Sequence, residues 1–267
     1  MGLGSLQSIG VEMWVQDKST ELTMSTLWDD PSRDFRQRYR VPEHFLWDSY
    51  DLKSIDYEGY LEVAFSLLPR PPLSILDVGC GDGWVAAKAI ERGYDITGID
   101  YSDRAIKFAE LLVPGAKFEE GDIRALEKHA EWTGVFDAAL HVEVLEHIPP
   151  QYYADVLKGI NACVKPGGTF VLTVPSVYMP VNRWHYKHFS REEITQLLVA
   201  SGFKVETIVN QFRLSFLTSY RFWKLLSNRF YDLRVARVLF RRLLLDHHNI
   251  TDDPAKAGRY IIRARKS

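Results

Sequence analysis

Cysteine is almost absent: Cys80 and Cys163 are the only two among 267 residues, and they fall in different expected elements. That excludes a disulfide framework and suits a reducing compartment. Charge of one sign is lacking too, the formal net charge being only -2, which argues against a broad nucleic-acid surface. No apolar run reaches the length of a membrane span, and neither a secretory leader nor an Arg-rich presequence is visible. Leu6 stands where a myristoylation signal needs Ser or Thr. A cytoplasmic protein is the plain expectation. Hydrophobic residues make up 46% of the chain, enough for one domain with a sizeable core.

The most informative segment is Ile75-Leu76-Asp77-Val78-Gly79-Cys80-Gly81-Asp82-Gly83. A short apolar run stops at an acid and opens into alternating glycines, as a strand does when it feeds a tight turn. Such a turn lets backbone N–H groups approach a ligand, and the following helix N-terminus favours negative charge. A nucleotide-like cofactor is expected. The dinucleotide fingerprint needs a third glycine where Trp84 stands, and the Walker A pattern lacks its Gly-Lys-Ser/Thr. Both phosphate-binding readings weaken.

Downstream, short strands alternate with helices. Expected strands are Asp95–Asp100, Lys117–Glu120, Phe136–Leu140 and Thr169–Val174; expected helices are 54–68, 83–92, 102–112 and 152–163. Ser102 and Ser190 are predicted N-caps, the second in a capping box with Glu193. This spacing describes a mostly parallel sheet covered on both faces. Its ligand belongs at the carboxyl ends of the strands, where the glycine turn, Asp100, Asp122 and His141 all fall.

The segment Ile75–Gly83 resembles motif I of the class I S-adenosylmethionine-dependent methyltransferases, and the ordered set of acids over residues 73–175 continues the likeness. The resemblance implies an α/β, Rossmann-like, seven-stranded, mostly parallel sheet with an antiparallel last strand. Strands six and seven would be 203–209 and 259–265. Helices flank the sheet, with an N-terminal helical cap (1–68), a cofactor-binding core (73–210), a helical insertion (211–257) and a last strand (258–267).

It also implies roles. Asp77 faces the methionine ammonium, and Gly79 and Gly81 leave room for the methionine and ribose portions. Asp100 accepts from the ribose hydroxyls. Asp122 and Ile123 meet the adenine, Tyr101 its other face, and His141, just past the fourth strand, the methionine end. S-adenosyl-L-methionine is the cofactor and S-adenosyl-L-homocysteine its product. The methyl goes to a small-molecule acceptor, most simply at oxygen.

Glu143, Glu146 and His147 stand at i, i+3 and i+4, so a helix beginning by Glu143 would present them on one face. With His188, or His185 in reserve, they could hold Mg2+ or a similar divalent ion. They are also the expected catalytic set, with His147 or His188 as base. The run is similar to those of ubiquinone-biosynthesis O-methyltransferases and of small-RNA 3'-end 2'-O-methyltransferases. Val174-Pro175-Ser176 departs from the first group's Thr-Asn-Arg stretch, and the second group's long RNA-binding extensions are missing. Three other readings stay open: RNA 3' ends as acceptor, a lipid-linked or saccharide acceptor, and a non-catalytic cofactor-binding partner protein.

Two aromatic regions complete the picture. Tyr39, Phe45, Trp47 and Tyr50 either pack the N-terminal segment onto the core or line an acceptor pocket. Residues 213–248 combine aromatic residues with basic ones such as Arg234, Arg237, Arg241 and Arg242. They suit two amphipathic helices serving as a lid or a homodimer contact, with a membrane surface or RNA as less favoured partners.

Overall fold

In the computed structural model, residues 39–47, 52–212 and 250–267 are described, with short pieces between 225 and 242. Residues 1–38, Tyr50 and most of 213–248, on which the cap and lid expectations fall, lie outside the described residues.

Seven strands form one sheet: β1 Ser74–Val78, β2 Asp95–Asp100, β3 Lys117–Glu120, β4 Phe136–Val142, β5 Val164–Pro175, β6 Phe203–Phe212 and β7 Ala257–Lys266. Their order is β3-β2-β1-β4-β5-β7-β6. Strands β1 to β5 run parallel, and β7 is antiparallel between β5 and β6. This is the expected sheet. The central strands are almost entirely buried because both faces are covered, so their sequences are continuous apolar runs.

On one face, α5 (Tyr153–Cys163) and α6 (Arg191–Ala200) pack on Leu76, Val78, Phe170, Leu172 and Ile262. On the other, α2 (Leu52–Ser66) and α3 (Trp84–Glu91) cover Ile75, Ile96, Leu140 and Ile261. A four-residue α1 (Glu43–Leu46) precedes them, and α4 (Asp103–Leu112) follows β2. Strand alternation puts Asp77, Asp100, Thr173 and Arg259 on the α2 side, so four polar groups gather at one end of one face. Both predicted caps form: Ser102 Oγ accepts from Ala105 N at 3.3 Å, and Ser190 Oγ from Glu193 N at 3.1 Å.

Two expectations are corrected. His141 lies inside β4, which runs two residues further than predicted. No α-helix starts at Glu143: its φ is +55°, and only a single turn of 3-10 helix, Leu145–His147, follows. A positive φ on a non-glycine residue stops the helical register, so Glu143, Glu146 and His147 share no α-helical face.

Candidate active site

The turn after β1 is stitched to the end of β2. Gly79 N and Cys80 N both donate to Ile99 O, at 2.8 and 3.0 Å, and Gly81 N donates to Asp100 Oδ2 at 3.0 Å. Gly79 has φ +84° and Gly81 φ +53°, values that L side chains rarely adopt. A Cβ on Gly79 would fall 2.6 Å from a Val144 methyl, and one on Gly81 would fall 2.4 Å from the Tyr39 hydroxyl. Backbone geometry therefore favours glycine at both positions, and a side chain there would also have to displace Val144 or Tyr39.

Residues 39–47 close over this turn. His44 N donates to Asp82 Oδ2 at 3.0 Å, and His44 Nδ1 lies 2.8 Å from Asp82 Oδ1. Phe45 meets Trp84 edge to face at 5.1 Å. Trp84, which takes the third-glycine place of the dinucleotide pattern, is thus the anchor for the covering segment. Tyr39 and Trp47 line the adjoining cavity, whereas Phe45 packs.

That cavity has a volume of about 490 Å³, within the usual range for a small-molecule site. Gly79, Gly81, Asp100, Tyr101 and Ile123 line one end, and Tyr57, Tyr60, Glu143, Glu146, His147 and Arg259 the other. Asp77 is buried beneath the turn, off the cavity lining, and its Oδ2 has no hydrogen-bond partner. Burial, with the Asp100 charge beside it, pushes the Asp77 carboxyl up to about 7. Burial also raises Asp100, to about 6, against the lowering effect of donors at Ser102 and Gly81. Two under-solvated carboxylates at adjacent strand ends are a standing demand for a ligand with donors or positive charge.

Two further expected cofactor contacts stand, like Asp77, off the cavity lining. The Asp122 carboxylate is held by Arg124, with Nε 2.9 Å from Oδ1 and Nη2 2.8 Å from Oδ2, and Asp122 does not line the cavity. Its neighbour Ile123 does. His141 is wholly buried with Nδ1 2.7 Å from Val78 O, and it also stands away from the cavity lining. Burial holds its imidazole down at about 4, hence neutral.

At the far end, Arg259 was missed by the sequence reading. Its Nε donates to Glu143 Oε2 at 2.7 Å, and its Nη1 donates to Asp56 Oδ2 at 3.0 Å and to Gln211 Oε1 at 3.1 Å. The guanidinium lies 4.2 Å over the Tyr60 ring. Thr173 Oγ1 donates to Glu143 Oε1 at 3.0 Å. Glu143 is therefore committed to Arg259 and Thr173. An arginine at an inward position of an apolar last strand is the signal that could have revealed it.

Among the described residues, the ligand atoms that converge belong to Glu146, His147 and His185, all within 4.8 Å of one another. Glu143 and His188 do not join them, correcting the expected set. His188 Nδ1 donates to Met179 O at 2.9 Å, leaving Nε2 to accept from His185 Nδ1 at 2.7 Å. His147 Nδ1 donates to Trp184 O at 2.9 Å, which places the lone pair on Nε2, 3.8 Å from Glu146 Oε1. Both Glu146 oxygens are buried without a hydrogen-bond partner. One carboxylate with unsatisfied oxygens and two imidazoles is a donor set that fits a divalent ion, provided His185 releases one ring nitrogen.

Comparison with known proteins agrees with the fold. The methyltransferase domain model matches residues 57–208, more than half of the chain. The ubiquinone biosynthesis O-methyltransferase of Bordetella avium is 32% identical over 166 residues, 61% of this chain and 61% of that protein. That of Chromobacterium violaceum is 38% identical over 96 residues, 35% of this chain and 40% of that one. The chain thus spans about three-fifths of the first relative and less of the second. Among solved structures, a SAM-dependent methyltransferase from Archaeoglobus fulgidus superposes with a TM-score of 0.57 at 18% identity, over 89% of this chain and 100% of that chain. Burkholderia thailandensis 1,6-didemethyltoxoflavin-N1-methyltransferase, with bound 1,6-didemethyltoxoflavin and S-adenosylhomocysteine, gives 0.57 at 18%, over 98% of each chain. At such identity these structures share the fold. The chain belongs to the class I S-adenosylmethionine-dependent methyltransferases.

Proposed function

We propose that the protein transfers the methyl group of S-adenosyl-L-methionine to an oxygen of a small-molecule acceptor. The observation that carries this is the pair of buried carboxylates, Asp77 and Asp100, at adjacent strand ends over a turn whose glycines hold positive φ. Asp100 accepts from the ribose hydroxyls, each of its oxygens keeping a lone pair beyond the bond it takes from Gly81 N or Ser102 N. Asp77 takes the methionine ammonium. Tyr101 and Ile123 flank the adenine, and Gly79 gives the amino-acid tail its room. Oxygen is favoured because the curated relatives are O-methyltransferases.

The reaction needs the acceptor oxygen held in line with the methyl at about 3 to 3.5 Å. One O–C bond forms, the S–C bond breaks, and the acceptor proton leaves to His147 Nε2, whose tautomer Trp184 O fixes. His188, itself fixed by Met179 O, sets the tautomer of His185. Glu146, His147 and His185 are the residues that would hold a divalent ion; His147 Nε2 would then be a ligand instead of the base, and the ion would lower the pKa of an acceptor hydroxyl.

The test is S-adenosylhomocysteine production with a panel of phenols and catechols. Product that forms only when an acceptor is present, with the label on oxygen, supports the proposal. Methylation solely of amines or carbon would reject it.

A further inference from the structure

Resting on the methyltransferase reading above, we propose that the acceptor is a neutral or cationic molecule whose reacting end offers hydrogen-bond donors to Glu146, and that anionic acceptors are rejected. Glu146 is 1% exposed, lines the cavity, and has neither carboxylate oxygen satisfied by the protein. A buried carboxyl left in this state costs stability, which a ligand's donor or positive charge would offset.

The surrounding charges add to this. Asp56 and Glu143 also line the acceptor end, and Arg259 is the only lysine or arginine among the described lining residues. Both carboxylates claim that guanidinium, at 3.0 and 2.7 Å. An acceptor carboxylate or phosphate would therefore displace an existing ion pair and face Glu146 as well. The same field reaches Tyr57, whose hydroxyl is held protonated by burial and then by the charges of Asp77, Asp82 and Glu143. Trp47, Tyr57 and Tyr60 offer aromatic faces to a flat ring or an attached cation.

The experiment titrates three compounds of one ring size into the S-adenosylhomocysteine complex by calorimetry, with EDTA present. They are 4-hydroxybenzylamine, 4-hydroxybenzyl alcohol and 4-hydroxybenzoate. The amine and the alcohol are expected to bind at least tenfold tighter than the carboxylate. Glu146→Gln is expected to weaken the amine at least tenfold and to leave S-adenosylhomocysteine affinity unchanged, which also shows that the variant folds. Equal or tighter binding of the carboxylate, no binding of the amine and alcohol, or an amine affinity indifferent to Glu146→Gln overturns the proposal. So does binding of the carboxylate that appears only when Mg2+ replaces EDTA, because Glu146 would then serve a metal. Failure of S-adenosylhomocysteine itself to bind would sink the underlying methyltransferase reading instead.

Discussion

Arg259 Nε lies 2.7 Å from Glu143 Oε2, a bond that joins the last strand to the first residue past β4 across 116 positions of sequence. Glu143 is also the residue with φ +55°. A non-glycine residue held in this conformation persists only where surrounding contacts over-determine it, and Arg259, Thr173 O–H and the bond from Glu143 N to Thr173 Oγ1 supply them.

Arg259→Met leaves the carboxylates of Glu143 and Asp56 buried without their cation. Breaking one partner of such a cluster is expected to cost about 3 to 5 kcal/mol in urea unfolding. Arg259→Met combined with Glu143→Gln should recover part of that loss. A single-variant cost under about 1 kcal/mol would show that the cluster is not held as described.

Gly81→Ala forces a methyl against the Tyr39 hydroxyl in a backbone conformation that alanine disfavours. Destabilisation of about 1 to 3 kcal/mol is expected, together with weaker binding of S-adenosylhomocysteine. Tyr39→Phe with Gly81→Ala should relieve the steric part alone. An unchanged melting curve for Gly81→Ala would contradict the glycine argument.

His44→Ala removes the ring contact to Asp82 Oδ1, leaving only the bond from the backbone N–H to Oδ2, and so loosens residues 39–47 over the turn. Charge-assisted bonds of this kind support roughly a tenfold faster release of S-adenosylhomocysteine in stopped-flow, with little change in association rate. A release rate within twofold of wild type would mean that the covering segment is held by Phe45 and Trp84 instead.

The buried acids give a signed pH dependence. Asp77 is raised to about 7 and Asp100 to about 6, so below pH 6 both carry protons in the free protein. A ligand ammonium beside Asp77 stabilises the anion, so binding expels a proton there. Affinity should rise with pH up to about 7 and level off above it. Calorimetry at pH 6 in two buffers of different ionisation enthalpy should report proton release. For folding the sign is opposite: both acids bind protons more tightly folded than unfolded, so their contribution is full below about 4, the ordinary carboxylate value, and fades as pH rises through 6 to 7. Cofactor affinity that falls between pH 5 and 7 would contradict this.

Much of the architecture was legible in the chain because it is written in local pattern. Buried parallel strands appear as short apolar runs, and their ends appear as an acid or a glycine turn, as at Asp77, Asp100 and Gly79. The acceptor end was not legible, for reasons of distance. Glu143, Glu146 and His147 look helical by spacing, but Arg259 and Thr173 bind Glu143 and bend the chain out of helical register. Asp122 looks like an adenine ligand until Arg124, two residues on, folds back onto its carboxylate. His141 looks like a loop residue because strand length is not encoded by hydrophobicity alone; its bond to Val78 O keeps it in β4. Asp56 and Arg259 are 203 positions apart, and nothing in either neighbourhood announces the other.

The most direct test is calorimetric binding of S-adenosylhomocysteine to wild type and to Asp100→Asn. Binding by wild type is expected, and Asp100→Asn, which keeps the shape but loses the charged acceptor, should lose about 1.5 to 3 kcal/mol of it, or roughly ten- to a hundredfold in Kd. Absence of wild-type binding, or equal affinity of the two proteins, would contradict a cofactor held by its sugar at the end of β2.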